Sequence, residues 1–266
     1  MNLLTLVWNY LKARPLNTAI NIVLLSLGIA VITILLLFNT QLEKKITENA
    51  RGIDLVVGAK GSPLQLILCN IFHMDFPTGN IKLIEAEKIS RNRLVKKAIP
   101  LALGDSYKTY RIVGTSREYA DLYKAELAQG DWWSEVFDVT IGASVAELSG
   151  LKIGDKFASA HGLVSGGHDH DDHQYIVRSI LKRNNTVIDN LILCNIESVW
   201  QMHEEGEHEE RHHESDSSFI SSRLIPSVAA NDSTKEITSM LIQYRSPMGA
   251  VQLPRFVNSQ SSLQAA

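Results

Sequence analysis

From Asn17 to Phe38 the chain reads "NTAINIVLLSLGIAVITILLLF", an apolar run without a charged side chain. As a helix rising about 1.5 Å per residue, the run crosses a hydrocarbon core of roughly 30 Å, so it predicts a transmembrane helix over residues 17–40. Pro15 suits its first turn, and Asn17, Thr18, Asn21, Ser26 and Gly28 give it a small or polar side on which another helix can pack. Ahead of it, residues 1–16 place Leu4, Val7, Trp8 and Leu11 on one helical face, which predicts an amphipathic helix lying at the interface. The competing reading is a cleaved signal peptide. Against it, the run exceeds a usual apolar signal core of about 7–15 residues, and no small-x-small cleavage site follows. Basic residues flank both ends, Lys12 and Arg14 before and Lys44, Lys45 and Arg51 after, so charge alone does not orient the span.

The pattern then changes to short alternating elements. A polar continuation of the helix ends at Gly52, "IDLVV" reads as a strand, "GAKGSP" as a connection, and Ser62-Pro63 as the N-cap and first residue of the helix "PLQLILCNIF". "IKLIEAEKIS" and "REYADLYKAELAQG" read as helices, and "VKKAIPLAL" and "YKTYRIVGT" as strands about a Gly104-Asp105 turn. Strand "DVTIG", helix "SVAELSG", strands "QYIVRSIL" and "NLILCNI", helix "ESVWQMH" and a last strand "EITSMLIQY" follow. This order predicts an α+β fold, with one globular body over residues 41–246, which the family resemblance described below makes extracytoplasmic, and a polar tail over residues 247–266.

Composition permits a full core, with 266 residues and 45% hydrophobic content. A formal charge of -3, from 26 basic and 29 acidic side chains, provides no basic field, and nucleic acid is excluded as a partner. Cys69 and Cys194 lack CxxC spacing; they either pair or stay buried and reduced.

Catalytic motifs are weak. "IGASVAEL" approximates a nucleophile elbow around Ser144 but has Ala146 where the second glycine belongs, and Ser144 with Glu147 also fits a capping box. "GAKGS" places Lys60 before rather than after the second glycine, so it is no phosphate loop. Trp132 and Trp133 read as a packing anchor. No catalytic residue is assigned, and no cofactor is required.

Two histidine-rich loops, at residues 161–173 and 203–213, carry the one candidate metal chemistry. His161, His168, His170 and His173 lie among aspartates, and His203, His208, His212 and His213 among glutamates. Neutral imidazoles and carboxylates suit Zn²⁺, Cu²⁺ or Ni²⁺, although no compact motif such as HExxH is present. Gly166 and Gly167 imply a loop that loses entropy on closing round an ion, so the expected binding is modest.

Taken in order, "RPLNTAINIVLLSLGIAV", "IDLVVGAKGSPLQLIL", "YRIVGTSREY", "LAQGDWW" and "VTIGASVAELSGLKIGDKF" resemble the N-terminal part of ABC transporter permeases of the MacB/FtsX type, over nearly the whole chain. The resemblance implies an elbow helix, a first transmembrane helix and a MacB-like periplasmic core domain in a bacterial inner membrane. It also implies a cytoplasmic N-terminus, a partner ATPase, homodimerisation of the full-length permease and an outer domain that moves cargo as ATP is hydrolysed. Gly52, Gly130, Gly142 and Gly154 become the expected packing and hinge positions. No apolar run after Tyr244 supplies a second span, so the chain is expected to be a fragment or a truncated product. The alternative is a membrane-tethered metal-binding or sensing module that works through the histidine loops. A secreted serine hydrolase is a third reading.

Overall fold

The computed structural model describes residues 3–161, 174–206 and 235–266. The chain divides into two units, Met1–Glu48 and Asn49–Ala266.

The first unit holds helix α1 (Leu3–Ala13) and most of helix α2 (Pro15–Asn49). Proline at the first position of α2 lacks only an N–H that the helix start leaves unpaired anyway. The apolar side chains of α2 are all exposed, and the helix is long and apolar enough to cross a membrane. Its hydroxyls bond back to the preceding turn, as when Thr33 Oγ1 donates to the Ile29 carbonyl at 2.8 Å, so none requires water inside the apolar stretch.

The second unit is built on one mixed sheet. Its path runs β13 (Leu263–Ala265), β1 (Leu55–Ala59), β12 (Ser239–Tyr244), β3 (Val95–Tyr107), β4 (Tyr110–Thr115), β10 (Leu191–Asn195), β6 (Asp138–Ile141), β9 (Tyr175–Leu181) and β5 (Leu127–Gly130). Short strands β7 (Lys156–Phe157) and β8 (Ala160–His161) pair with β9 and β3. Strands β2 (Ile81–Lys82) and β11 (Glu236–Ile237) form a separate pair. Pairs β4–β10 and β6–β9 are parallel; the remaining ladders are antiparallel.

Strand β10 buries both sides of the unbroken run "LILC". Leu191 and Leu193 enter one apolar cluster and Ile192 and Cys194 another, so both faces of the sheet are covered. The first cluster packs helices α3 (Pro63–Asn70) and α5 (Arg117–Leu122) against the sheet through Leu66, Cys69, Tyr119 and Ala120. A second gathers around α4 (Leu83–Ser90) and α8 (Pro247–Gln260), and a third around α6 (Ala143–Ser149) and α7 (Ile196–Gly206).

Several sequence expectations change. Residues 247–266 are no polar tail: Leu253 and Val257, four apart on α8, are fully buried, and β13 pairs with β1 at the sheet edge. The strand "EITSMLIQY" is therefore not the last one, and it divides into β11 and β12. Gly104-Asp105 is no turn either. Leu103 faces Val113 while Ser106 faces Arg111, so one extra residue makes a bulge inside a continuous β3. The reversal instead falls at Lys108-Thr109, with Lys108 at φ 55°. The stretch "REYADLYKAELAQG" is only partly helical: α5 stops at Leu122 and β5 follows. Ser144 is not an N-cap; Gly142 holds that position, and the Glu147 carboxylate pairs with Arg183.

Candidate functional site

The feature that ties most polar groups together lies where the chain enters the second unit. Asn49, the last helical residue of α2, accepts a hydrogen bond on its main-chain oxygen from the Tyr123 hydroxyl at 3.0 Å. Its side-chain Oδ1 accepts from the Val187 amide at 2.9 Å. Gln243 Nε2 donates to the Gly52 carbonyl at 2.6 Å, and the Tyr244 amide donates to Asp54 Oδ2 at 2.7 Å. Gly52 turns at φ 76°, in the left-handed region where a Cβ is costly, which is why glycine follows the helix.

Behind this entry sits a buried aromatic and polar group. The rings of Tyr119 and Tyr123 meet edge to face at 5.3 Å, and Tyr119 Oη lies 2.8 Å from His73 Nε2. His73 follows α3 at φ 54°, a left-handed backbone that histidine adopts at some cost. Its Nδ1 is shut off from solvent with no partner among the described residues. Burial, aided by the Arg111 charge, drives the imidazole's pKa down to about 3, so the ring is neutral. Burial raises Tyr123 to about 12.

Arg111 points from β4 toward α3, where its Nη1 donates to Cys69 Sγ at 3.4 Å. Burial raises the Cys69 pKa and outweighs the opposing pull of Arg111, so the thiol stays protonated. A cavity of about 300 Å³ opens beside this group, lined by Phe72, His73, Tyr110, Arg111, Val187 and Leu191 among others. Val187 thus lines the cavity while its amide donates to Asn49.

Of the eight residues predicted as metal ligands, two lie among the described residues. His161 stands in β8 opposite Asp105 of β3, and His203 lies on α7. His168, His170, His173, His208, His212 and His213 lie outside the described residues. Among the described residues, no group of three or more His, Cys, Asp or Glu side chains could hold a metal ion. Cys69 and Cys194 are both buried free thiols, and they sit in different apolar clusters.

The glycines expected as hinges have separate roles. A Cβ on Gly142 would lie 2.3 Å from the Asp189 carbonyl oxygen, and one on Gly130 would lie 2.1 Å from that of Arg178. Both are close-approach positions. Gly154, at φ 90°, has open space around it. Trp132 and Trp133 pack on the first cluster, and the Arg117 guanidinium sits 3.8 Å above the Trp132 ring. His73 and Arg111 carried no motif, because their partners are remote in sequence; the only local signal is a histidine and a phenylalanine following an apolar helix.

The MacB-like periplasmic core domain matches this sequence over residues 18–240. The chain belongs to that family. The MacB-like match takes in most of the apolar part of α2 as well as the sheet through the start of β12. Among solved structures, the periplasmic region of MacB from Actinobacillus actinomycetemcomitans is 12% identical, with 84% of this chain and 93% of that chain covered and a TM-score of 0.47. The extracellular domain of the noncanonic ABC-type transporter YknZ from Gram-positive bacteria is 10% identical, with coverage of 80% and 98% and a TM-score of 0.45. A domain of a putative permease protein from Porphyromonas gingivalis is 14% identical, with coverage of 82% and 89% and a TM-score of 0.39. No curated protein matches the sequence.

Proposed function

We propose that this chain is the membrane-anchored outer-domain part of an ABC transporter permease. In this role a partner ATPase hydrolyses ATP, and the outer domain moves to export or release cargo. The observation that carries the reading is the single MacB-like match that spans both the apolar helix and the folded domain. The long apolar α2 supports an inner-membrane anchor in contact with lipid. The proposed orientation, N-terminus cytoplasmic and domain outside, follows from the likeness to a periplasmic core domain.

The proposal includes a homodimer, since two outer domains can close on cargo, and it includes no enzymatic step by this chain. Spin labels at the exposed Lys152 of two copies, reconstituted with the ATPase, test it. The expected result is a distance distribution that changes when ATP is added and returns after hydrolysis. An unchanged distribution beside an active ATPase would contradict mechanical coupling.

A further inference from the structure

We propose that the cavity beside His73 and Arg111 binds a small organic carboxylate. In this proposal Arg111 holds the carboxylate group, while Phe72, Val187 and Leu191 enclose a short apolar body. The inference does not depend on the transporter reading.

The argument starts from an unbalanced charge. Arg111 is only 6% exposed, and a guanidinium stays protonated at any physiological pH. Its hydrogen bond goes to the Cys69 thiol, and among the described residues it makes no ion pair with a carboxylate. The thiol is no counter-ion, because burial keeps it protonated. Asp75 is close enough for its charge to be felt at Cys69, but its Oδ1 accepts from the Phe76 amide. Arg111 lines the cavity and none of its nitrogens is both closed off and unpartnered, so an anion there can pair with the guanidinium in place of water.

His73 forms part of the same wall as a neutral ring, with its Nε2 engaged by Tyr119 and its Nδ1 closed off from the open space of the cavity. Thr109 and Asn190, also on the cavity wall, add further polar groups.

Size and charge narrow the ligand. At about 300 Å³ the cavity is at the small end of ligand sites, which limits the occupant to a short chain. A single arginine beside a neutral imidazole suits a monoanion better than a phosphate dianion, and the fork of a guanidinium matches the two oxygens of a carboxylate. Phe72, Val187 and Leu191 then favour an apolar rather than a hydroxylated body.

The test uses the full chain in lipid nanodiscs, with empty nanodiscs subtracted, and titrates sodium pentanoate, 1-pentanol and inorganic phosphate by calorimetry. Saturable pentanoate binding is expected, at least about ten-fold tighter than for pentanol or phosphate and weakened at least about ten-fold by Arg111→Met. Equal binding of pentanol or phosphate, or an unaffected Arg111→Met, overturns the proposal. Methyl-labelled wild-type chain decides the matter should that variant fail to fold. Pentanoate is expected to shift the Val187 and Leu191 methyl signals, and shifts confined to other methyls, or none, overturn the site.

Discussion

Tyr123 donates its phenolic hydroxyl to the main-chain carbonyl of Asn49 at 3.0 Å, across 74 residues of sequence. The acceptor belongs to the last turn of a helix, where carbonyls have no partner within the helix itself. Tyr123→Phe removes this donor together with the hydroxyl's interaction with Tyr119. Its expected cost is about 1 kcal/mol, read as a lower denaturant midpoint. Asn49→Ala also deprives the Val187 amide of its acceptor, and it should cost about 1–3 kcal/mol.

Gly142 and Gly28 separate close packing from free space. Alanine at Gly142 would press its methyl onto the Asp189 and Ile188 carbonyl oxygens, whereas at Gly28 nothing lies within 4 Å. Gly142→Ala should destabilise the outer domain by about 2–4 kcal/mol. Gly28→Ala should leave its unfolding midpoint unchanged.

His73 predicts a pH dependence. Its pKa is 6.5 in a free chain and about 3 in the fold, so the unfolded state binds the extra proton between those values. The stability associated with a neutral His73 is full above about pH 6.5 and is lost as pH falls toward 3. Denaturant midpoints at pH 7 and pH 5 should therefore differ less for His73→Asn than for the wild type. Asparagine is chosen because it tolerates the left-handed backbone at this position. An identical difference in the two proteins would contradict the assignment.

Ser144→Ala should leave function intact. The serine stands at the second position of α6, is nearly buried, and has no histidine among its described partners. Loss of transport with an unchanged fold would revive a nucleophilic role.

The histidine loops yield a prediction of their own. Zinc titration of the full chain is expected to show modest binding that weakens when residues 165–173 are deleted. Unchanged affinity removes that loop as a site.

The run "LILC" was legible only in its context: at Leu191–Cys194 it is a strand covered on both faces, and at Leu66–Cys69, after Ser62-Pro63, the same four residues belong to helix α3. The helix at Pro63 was plain: Ser62 Oγ accepts from the Gln65 amide, as its residue type and place predict. Gly104-Asp105 misled because bulges and turns draw on the same residues, while Lys108-Thr109, which make the actual reversal, carry no turn signal. Residues 247–266 misled through Pro254 and a polar composition; their buried apolar positions are few and scattered, Leu253 and Val257 on α8 and Leu263 and Ala265 on β13. The His73–Arg111 cavity was not legible. Its walls come from three segments, residues 72–73, 109–111 and 187–191, whose meeting is set by the sheet, and no spacing in the sequence brings them together.

The most direct measurement of the central claim is the composition of the complex that this chain forms in its native membrane. The gene's natural product should be purified after gentle solubilisation and its partners quantified by mass spectrometry. A P-loop ATPase present in stoichiometric amount, and lost when the membrane helix is replaced by an unrelated one, is the predicted result. Reproducible absence of any ATPase would contradict the permease account.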